Sequence, residues 1–246
     1  IPAEPLFRSK IIKKHNIGII KMEVKREEEP RNNFLQKVRK IADRNKIILI
    51  FDECTSGFRQ SFGGLHKFYK VIPDMAMYGK ALGNGYAITA VVGKRSIMEN
   101  ASTNFISSTM WTERIGTSAA IECLNVMEKT KSWLKITETG KWLKNQWRAL
   151  AKLHNLKIDV MGLDAIPNFI FNSHNHNAYK TLITQEFLKN NMLATNKIFI
   201  SVLHNKKNLQ KYLDQLDKVF STIKRVENGE NINNFLFHPV SYNPYI

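Results

Sequence analysis

The stretch KIILIFDE, residues 46–53, is an unbroken apolar run that ends on two acids. Continuous hydrophobicity over 46–51 is the mark of a parallel-sheet strand covered on both faces, since a solvated face would bring polar residues at every second position. Working upstream, IGIIKMEV at 17–24 reads as another strand and Glu27-Glu28-Glu29-Pro30 as a turn. Residues 33–45 read as a helix with Phe34, Leu35, Val38 and Ile41 facing inward. Strand, helix, strand in that order implies a right-handed crossover. Downstream, MAMY at 75–78 and AITAVV at 87–92 are further short strands, and Ile115 to about Lys129 has the spacing of a helix. The first half is therefore α/β.

From about residue 131 the pattern changes. A Trp- and Lys-bearing amphipathic helix over about 132–153 is followed by candidate strands at 156–161, 168–172 and 197–203, with helices near 179–192 and 207–224. This describes a smaller α+β domain. The expected partition is 1–130, 131–226 and an irregular tail, 227–246, rich in Asn with Gly and Pro.

The 246 residues, 43% hydrophobic and 24% charged, suffice to bury a core and exclude a disordered or fibrous chain. No apolar run approaches the roughly 20 residues of a membrane-spanning helix. Lys plus Arg 37 against Asp plus Glu 21 leaves +16. The basic residues are scattered through Lys- and Asn-rich helical stretches at 10–16, 141–152 and 204–211, with no arginine-rich block and no aromatic-basic RNA-binding pattern. No nucleic-acid partner is expected. Two cysteines, Cys54 and Cys123, build no disulfide framework, and no leader precedes a cleavage site, so a reducing, cytoplasmic setting is expected. The first residue is Ile, which suits a piece of something longer.

Eight of the twelve glycines fall within 57–116, so the chemistry is sought there. Asp52-Glu53 ends a buried strand, where open α/β sheets place their ligand sites. The same pair would suit the magnesium side of an ATPase, but Gly79-Lys80 is followed by Ala81 rather than Ser or Thr, so the phosphate loop is missing. Nor do Gly79, Gly83 and Gly85 match a dinucleotide fingerprint. Lys80 stands in that glycine turn, some thirty residues after Asp52. A lysine able to lose its proton forms Schiff bases, and a strand-end carboxylate can hold a pyridinium proton, a pairing that suggests pyridoxal phosphate. A solvated lysine in a turn and a helix-capping aspartate would show the same two residues.

More than two residues point the same way. LIFDECTSGFR (49–59), GGLHKFY (63–69), PDMAMYGKALGNG (73–85) and FISSTMWTERIGTSAA (105–120) stand in the order and spacing of one family. With them the chain resembles the class III, fold type I, pyridoxal-phosphate-dependent aminotransferases, in their glutamate-1-semialdehyde aminotransferase-like branch. A weaker similarity continues through 187–220. The resemblance implies part of a large cofactor-binding domain, a mostly parallel sheet with flanking helices, followed by a small C-terminal α+β domain.

Carried onto this sequence, the resemblance makes Lys80 the Schiff-base lysine, which later moves a proton on the substrate carbon, and Asp52 the partner of the pyridine nitrogen. Cys54 would pack against one face of the cofactor ring, and Thr109 would reach the cofactor phosphate of a neighbouring subunit, which implies a homodimer. Glu53, Ser56 and Arg59 would orient the loop. His66 is expected on the surface or in a loop, and His174 and His176 lack further residues at metal-ligand spacing. Thr195-Asn196-Lys197 stands where aminomutases of the family carry a glutamate, which favours transamination over the mutase reaction. The family is longer on its N-terminal side, where it holds the cofactor phosphate on a helix N-terminus and stacks an aromatic on the ring. The expectation is thus the C-terminal portion of an enzyme that, with its N-terminal part supplied, moves an amino group between a small amino donor and a keto or aldehyde acceptor. The alternative is a silent truncated remnant or one subunit of a split enzyme.

Overall fold

The computed structural model describes residues 11–12, 14–110 and 112–241, and the chain divides into two units between Leu134 and Lys135. In the first unit, β1 (Ile19–Glu23), α1 (Phe34–Arg44), β2 (Ile48–Glu53), β3 (Met75–Tyr78), β4 (Ala90–Gly93) and α2 (Ile115–Thr130) succeed one another. The sheet order is β1-β2-β3-β4, with the first three strands parallel and β4 antiparallel to β3. This is the α/β sheet that the apolar run at 46–51 requires. Leu35, Val38 and Ala42 form the buried stripe of α1 at helical spacing, while Phe34 and Ile41 are only half-buried.

Lys46 adopts a left-handed conformation with φ 54° and turns the chain out of α1. Strand β2 therefore starts two residues later than the apolar run and takes Asp52 and Glu53 inside the ladder, paired with Met77 and Tyr78. Its two faces differ. Leu49, Phe51 and Glu53 are buried, whereas Ile48, Ile50 and Asp52 are half-buried. Coverage on both faces, expected from the unbroken run, is complete on one side alone within this chain.

Asp74 ties the sheet together at the opposite end. Its carboxylate accepts from the Leu49 amide at 2.8 Å, from Arg39 Nη1 at 2.8 Å and from Lys94 Nζ at 2.7 Å. Burial raises the carboxyl's pKa, but these three donors more than offset it and hold the group at about 2.

The second unit holds most of α3 (Ser132–Leu153), the antiparallel hairpin β5 (Ile158–Leu163) and β6 (Ile166–Phe171), then α4 (His176–Lys189) and α5 (Lys206–Glu227). Its core is aromatic. Trp147, Phe169, Tyr179, Phe187 and Phe220 are fully buried, and the rings of Trp147 and Phe169 meet edge to face at 4.9 Å. The hairpin turn is clamped by α3: Lys144 Nζ donates to the Gly162 carbonyl at 2.7 Å and to Asp164 Oδ1 at 2.8 Å. One turn earlier, Gly140 lies so close that an added Cβ would sit 1.6 Å from the Asp164 carbonyl oxygen.

One expected strand is corrected. Residues 197–203 form a single bridge, Lys197 with Asn168, rather than a strand. The Ile198 and Ile200 amides donate to the Pro167 and Ala165 carbonyls, but Pro167 has no N–H to return, so the reciprocal ladder cannot form there.

Candidate active site

Parallel register sets the carboxyl ends of β2 and β3 side by side, since Glu53 pairs with Tyr78. The segments at and beyond those two strand ends are therefore brought together: Asp52, Cys54 and Thr55 on one, Gly79 and Lys80 on the other. Gly79 is buried, and a Cβ there would lie 3.6 Å from Cys54 Sγ. Lys80, exposed and with a positive φ of 34°, donates from Nζ to Thr55 Oγ1 at 2.6 Å. The two members of the pair expected from the sequence thus share one rim of the sheet, with Cys54 between Asp52 and Gly79.

Asp52 is held as an anion. Its Oδ1 accepts the Cys54 amide at 3.2 Å and its Oδ2 meets Lys21 Nζ at 3.1 Å. Burial pushes its pKa up, yet the Lys21 ammonium and the Cys54 amide bring the carboxyl below the usual carboxylate range. The Cys54 thiol is shifted the other way: burial and the Asp52 carboxylate push it up, against the Lys21 and Lys80 ammonium groups. It is a protonated, small side chain at neutral pH.

The loop leaving β2 is fixed by Glu53, which is fully buried. Its carboxylate accepts from Ser56 Oγ at 2.8 Å and from the amides of Leu65 and His66 at 2.6 and 3.0 Å, and its Oε1 lies 2.6 Å from His66 Nδ1. His66 lies in the short turn Leu65–Lys67 of the β2–β3 connection, so the loop placement holds, but it is buried against Glu53 rather than on the surface. Close approach explains two of the motif's glycines, because a Cβ on Gly57 would strike the Tyr78 ring at 2.6 Å and one on Gly64 the His66 ring at 2.2 Å. Arg59 Nε donates to the Thr55 carbonyl at 2.8 Å, so Glu53, Ser56 and Arg59 all orient the loop.

Thr109 is not brought to this cluster. It stands on an exposed turn ahead of α2, and no hydrogen bond or ion pair among the described residues joins it to Asp52, Cys54 or Lys80. Nor does it cap α2, whose first amides, Ile115 and Gly116, donate to the Glu113 carboxylate at 2.5 and 3.0 Å. Sequence reasoning passed over Lys21 and Thr55. The signal for Lys21 was present, one of two charges, with Glu23, inside the otherwise apolar strand 17–24; nothing in the sequence singled out Thr55.

No helix among the described residues is long and apolar enough to cross a membrane. Comparison with known proteins bears on the chemistry. The chain is 31% identical over 177 residues to the 3-aminobutyryl-CoA aminotransferase of Cloacimonas acidaminovorans, covering 72% of this chain and 42% of that protein. It is 32% identical over 205 residues to the glutamate-1-semialdehyde 2,1-aminomutase of Methanococcus maripaludis, covering 76% and 48%. The chain thus spans less than half the length of these curated relatives. Among solved structures, the FumI protein of Sphingopyxis sp. MTA144, in its PLP internal aldimine form, superposes with a TM-score of 0.84 at 20% identity, over 94% of this chain and 58% of that one. That is a likeness of fold, and it agrees with part of a large α/β domain being present. The family model of class-III aminotransferases matches residues 28–226, a span that contains Asp52, Lys80 and both units' cores. This chain belongs to the class-III aminotransferases.

Proposed function

We propose that the chain carries the amine and the carboxylate of a pyridoxal-phosphate-dependent amino-group transfer, with Lys80 as the amine that takes the cofactor's aldehyde carbon and Asp52 as the partner of its pyridine nitrogen. The observation that carries this is that Asp52 and Lys80 stand at neighbouring strand ends on one rim of the sheet, with Cys54 between Asp52 and Gly79. The donor set fits the group. Asp52 is held ionised at neutral pH, as a protonated pyridine nitrogen requires, and the Lys80 amine rests on a neutral hydroxyl.

When bound, the cofactor ring draws electrons from the carbon that bears the transferred nitrogen. Asp52 keeps the proton on the ring nitrogen. The Lys80 amine would be placed to carry a proton to and from the reacting carbon. Cys54 presents a small apolar wall, and Thr109, exposed as it is, suits a hydroxyl offered to the phosphate site of a second subunit in a homodimer. The substrates are a small amino donor and a keto or aldehyde acceptor. Transamination is favoured over the mutase reaction because Thr195-Asn196-Lys197 stands where the aminomutases carry a glutamate. Two unpaired thiols suit the reducing cytoplasm.

Incubation with pyridoxal phosphate, borohydride reduction and peptide mapping tests the assignment. The label is expected on Lys80 and is expected to vanish in Lys80→Ala. A label on another lysine, or none at all, defeats the proposal.

A further inference from the structure

Both oxygens of the Asp52 carboxylate are already engaged, Oδ1 by the backbone amide of Cys54 and Oδ2 by the ammonium of Lys21. The two donors differ in kind. The amide belongs to the turn that Glu53 anchors and cannot leave. Lys21 reaches Asp52 from β1 on a flexible stem, and its side chain is 52% exposed, so water can take back its charge at little cost. A cofactor ring nitrogen carrying a proton would bring a second positive charge to the same carboxylate, and two cations on one carboxylate repel.

We infer that Lys21 is an exchangeable counter-ion: it neutralises Asp52 while the ring nitrogen is absent and swings away into water when the ring nitrogen arrives. This rests on the assignment of Asp52 to the ring nitrogen. Lys21 is thus a positioning residue, acting through Asp52, and it sets how tightly the cofactor is held. It keeps the carboxylate ionised and pre-aimed, and it competes for the very oxygen that the ring requires. The strand makes this possible. Glu23, not Lys21, is the register partner of Asp52 on β2, so the Lys21 ammonium reaches the carboxylate along the sheet rather than across the ladder.

Titration calorimetry with 4′-deoxypyridoxine 5′-phosphate tests this. That probe has the ring nitrogen and the phosphate but no aldehyde, so it reports the Asp52 end without the Lys80 bond. Removing the competitor in Lys21→Met is expected to tighten binding by about fivefold, the worth of a half-exposed ion pair. Lys21→Arg, which keeps the charge, is expected to bind as the natural chain does. Binding by Lys21→Met that is unchanged or weaker overturns the role of Lys21 and leaves the reading of Asp52 intact. Tightening by Lys21→Arg as large as that by Lys21→Met also overturns it, because charge would then be irrelevant. Absence of binding by the natural chain and by both variants overturns the Asp52 reading, and the Lys21 inference with it.

Discussion

The two units both bury apolar cores but differ in what completes them. The second is closed around interlocked rings, with Trp147, Phe169, Tyr179, Phe187 and Phe220 all removed from water. The first has a mainly aliphatic core, Leu35, Val38, Leu49 and Phe51 among it, and adds two buried acids, Glu53 and Asp74, each satisfying several donors at once. Both units leave large apolar side chains in water, Phe105, Met110, Ile115 and Ile121 in the first and Leu153, Leu193 and Leu203 in the second. The lesson is that the unit with the proposed site adds polar anchoring, which fixes loops with directional precision, while the other relies more on the volume of its rings. Polar anchors respond to charge and pH; a ring-packed core responds to cavities.

The largest expected effect that would break this contrast is Trp147→Ala. Emptying that site costs about 4 kcal/mol of transfer and cavity energy, and amide hydrogen exchange is expected to show lost protection in α3, β6 and α5 but not in β2 and β3. Equal loss in both units would mean one cooperative block. Next comes Glu53→Ala, which leaves the Leu65 and His66 amides and the Ser56 hydroxyl without their acceptor. A cost of about 3 kcal/mol, read by urea unfolding, is expected, with exchange rising in 54–66 alone.

Asp74→Asn sharpens the contrast through pH. The carboxyl titrates at about 2 in the folded chain against 3.8 when unfolded. The unfolded chain takes up the proton first on acidification, so this group's stabilisation is whole above about pH 4 and lost as pH falls through about 2. It amounts to about 2 kcal/mol, and acid unfolding of Asp74→Asn should show a flatter dependence across that window. The smallest effect is expected at Ile121→Gln. That side chain is 63% exposed, and a change within about 0.5 kcal/mol in urea unfolding would agree with an apolar face that contributes nothing to this unit on its own.

Much of this was legible in the sequence, for identifiable reasons. Strand β3 falls on MAMY residue for residue, because that short apolar stretch comes after Pro73 and Asp74 and is ended by Gly79. That Asp52 lies at a strand end and Lys80 in a glycine turn was legible because strand ends and glycine turns are written locally. Ladder partners are not. The carboxylate's engagement by Lys21, the parking of Lys80 on Thr55 and the burial of His66 all arise from register between segments far apart in sequence. The missing strand at 197–203 failed for a similar reason. Its own residues suit a strand, and the obstacle is a proline about thirty residues away, on the chain it lies against.

That proline has one more consequence. An uninterrupted row of outward amides on β6 would invite any extended chain to stack upon it, the first step of fibrillar growth. Pro167 removes one donor from that row and the Phe169 amide is spent on the Asn196 carbonyl, so β6 offers an incoming strand no continuous run of free amides on that side.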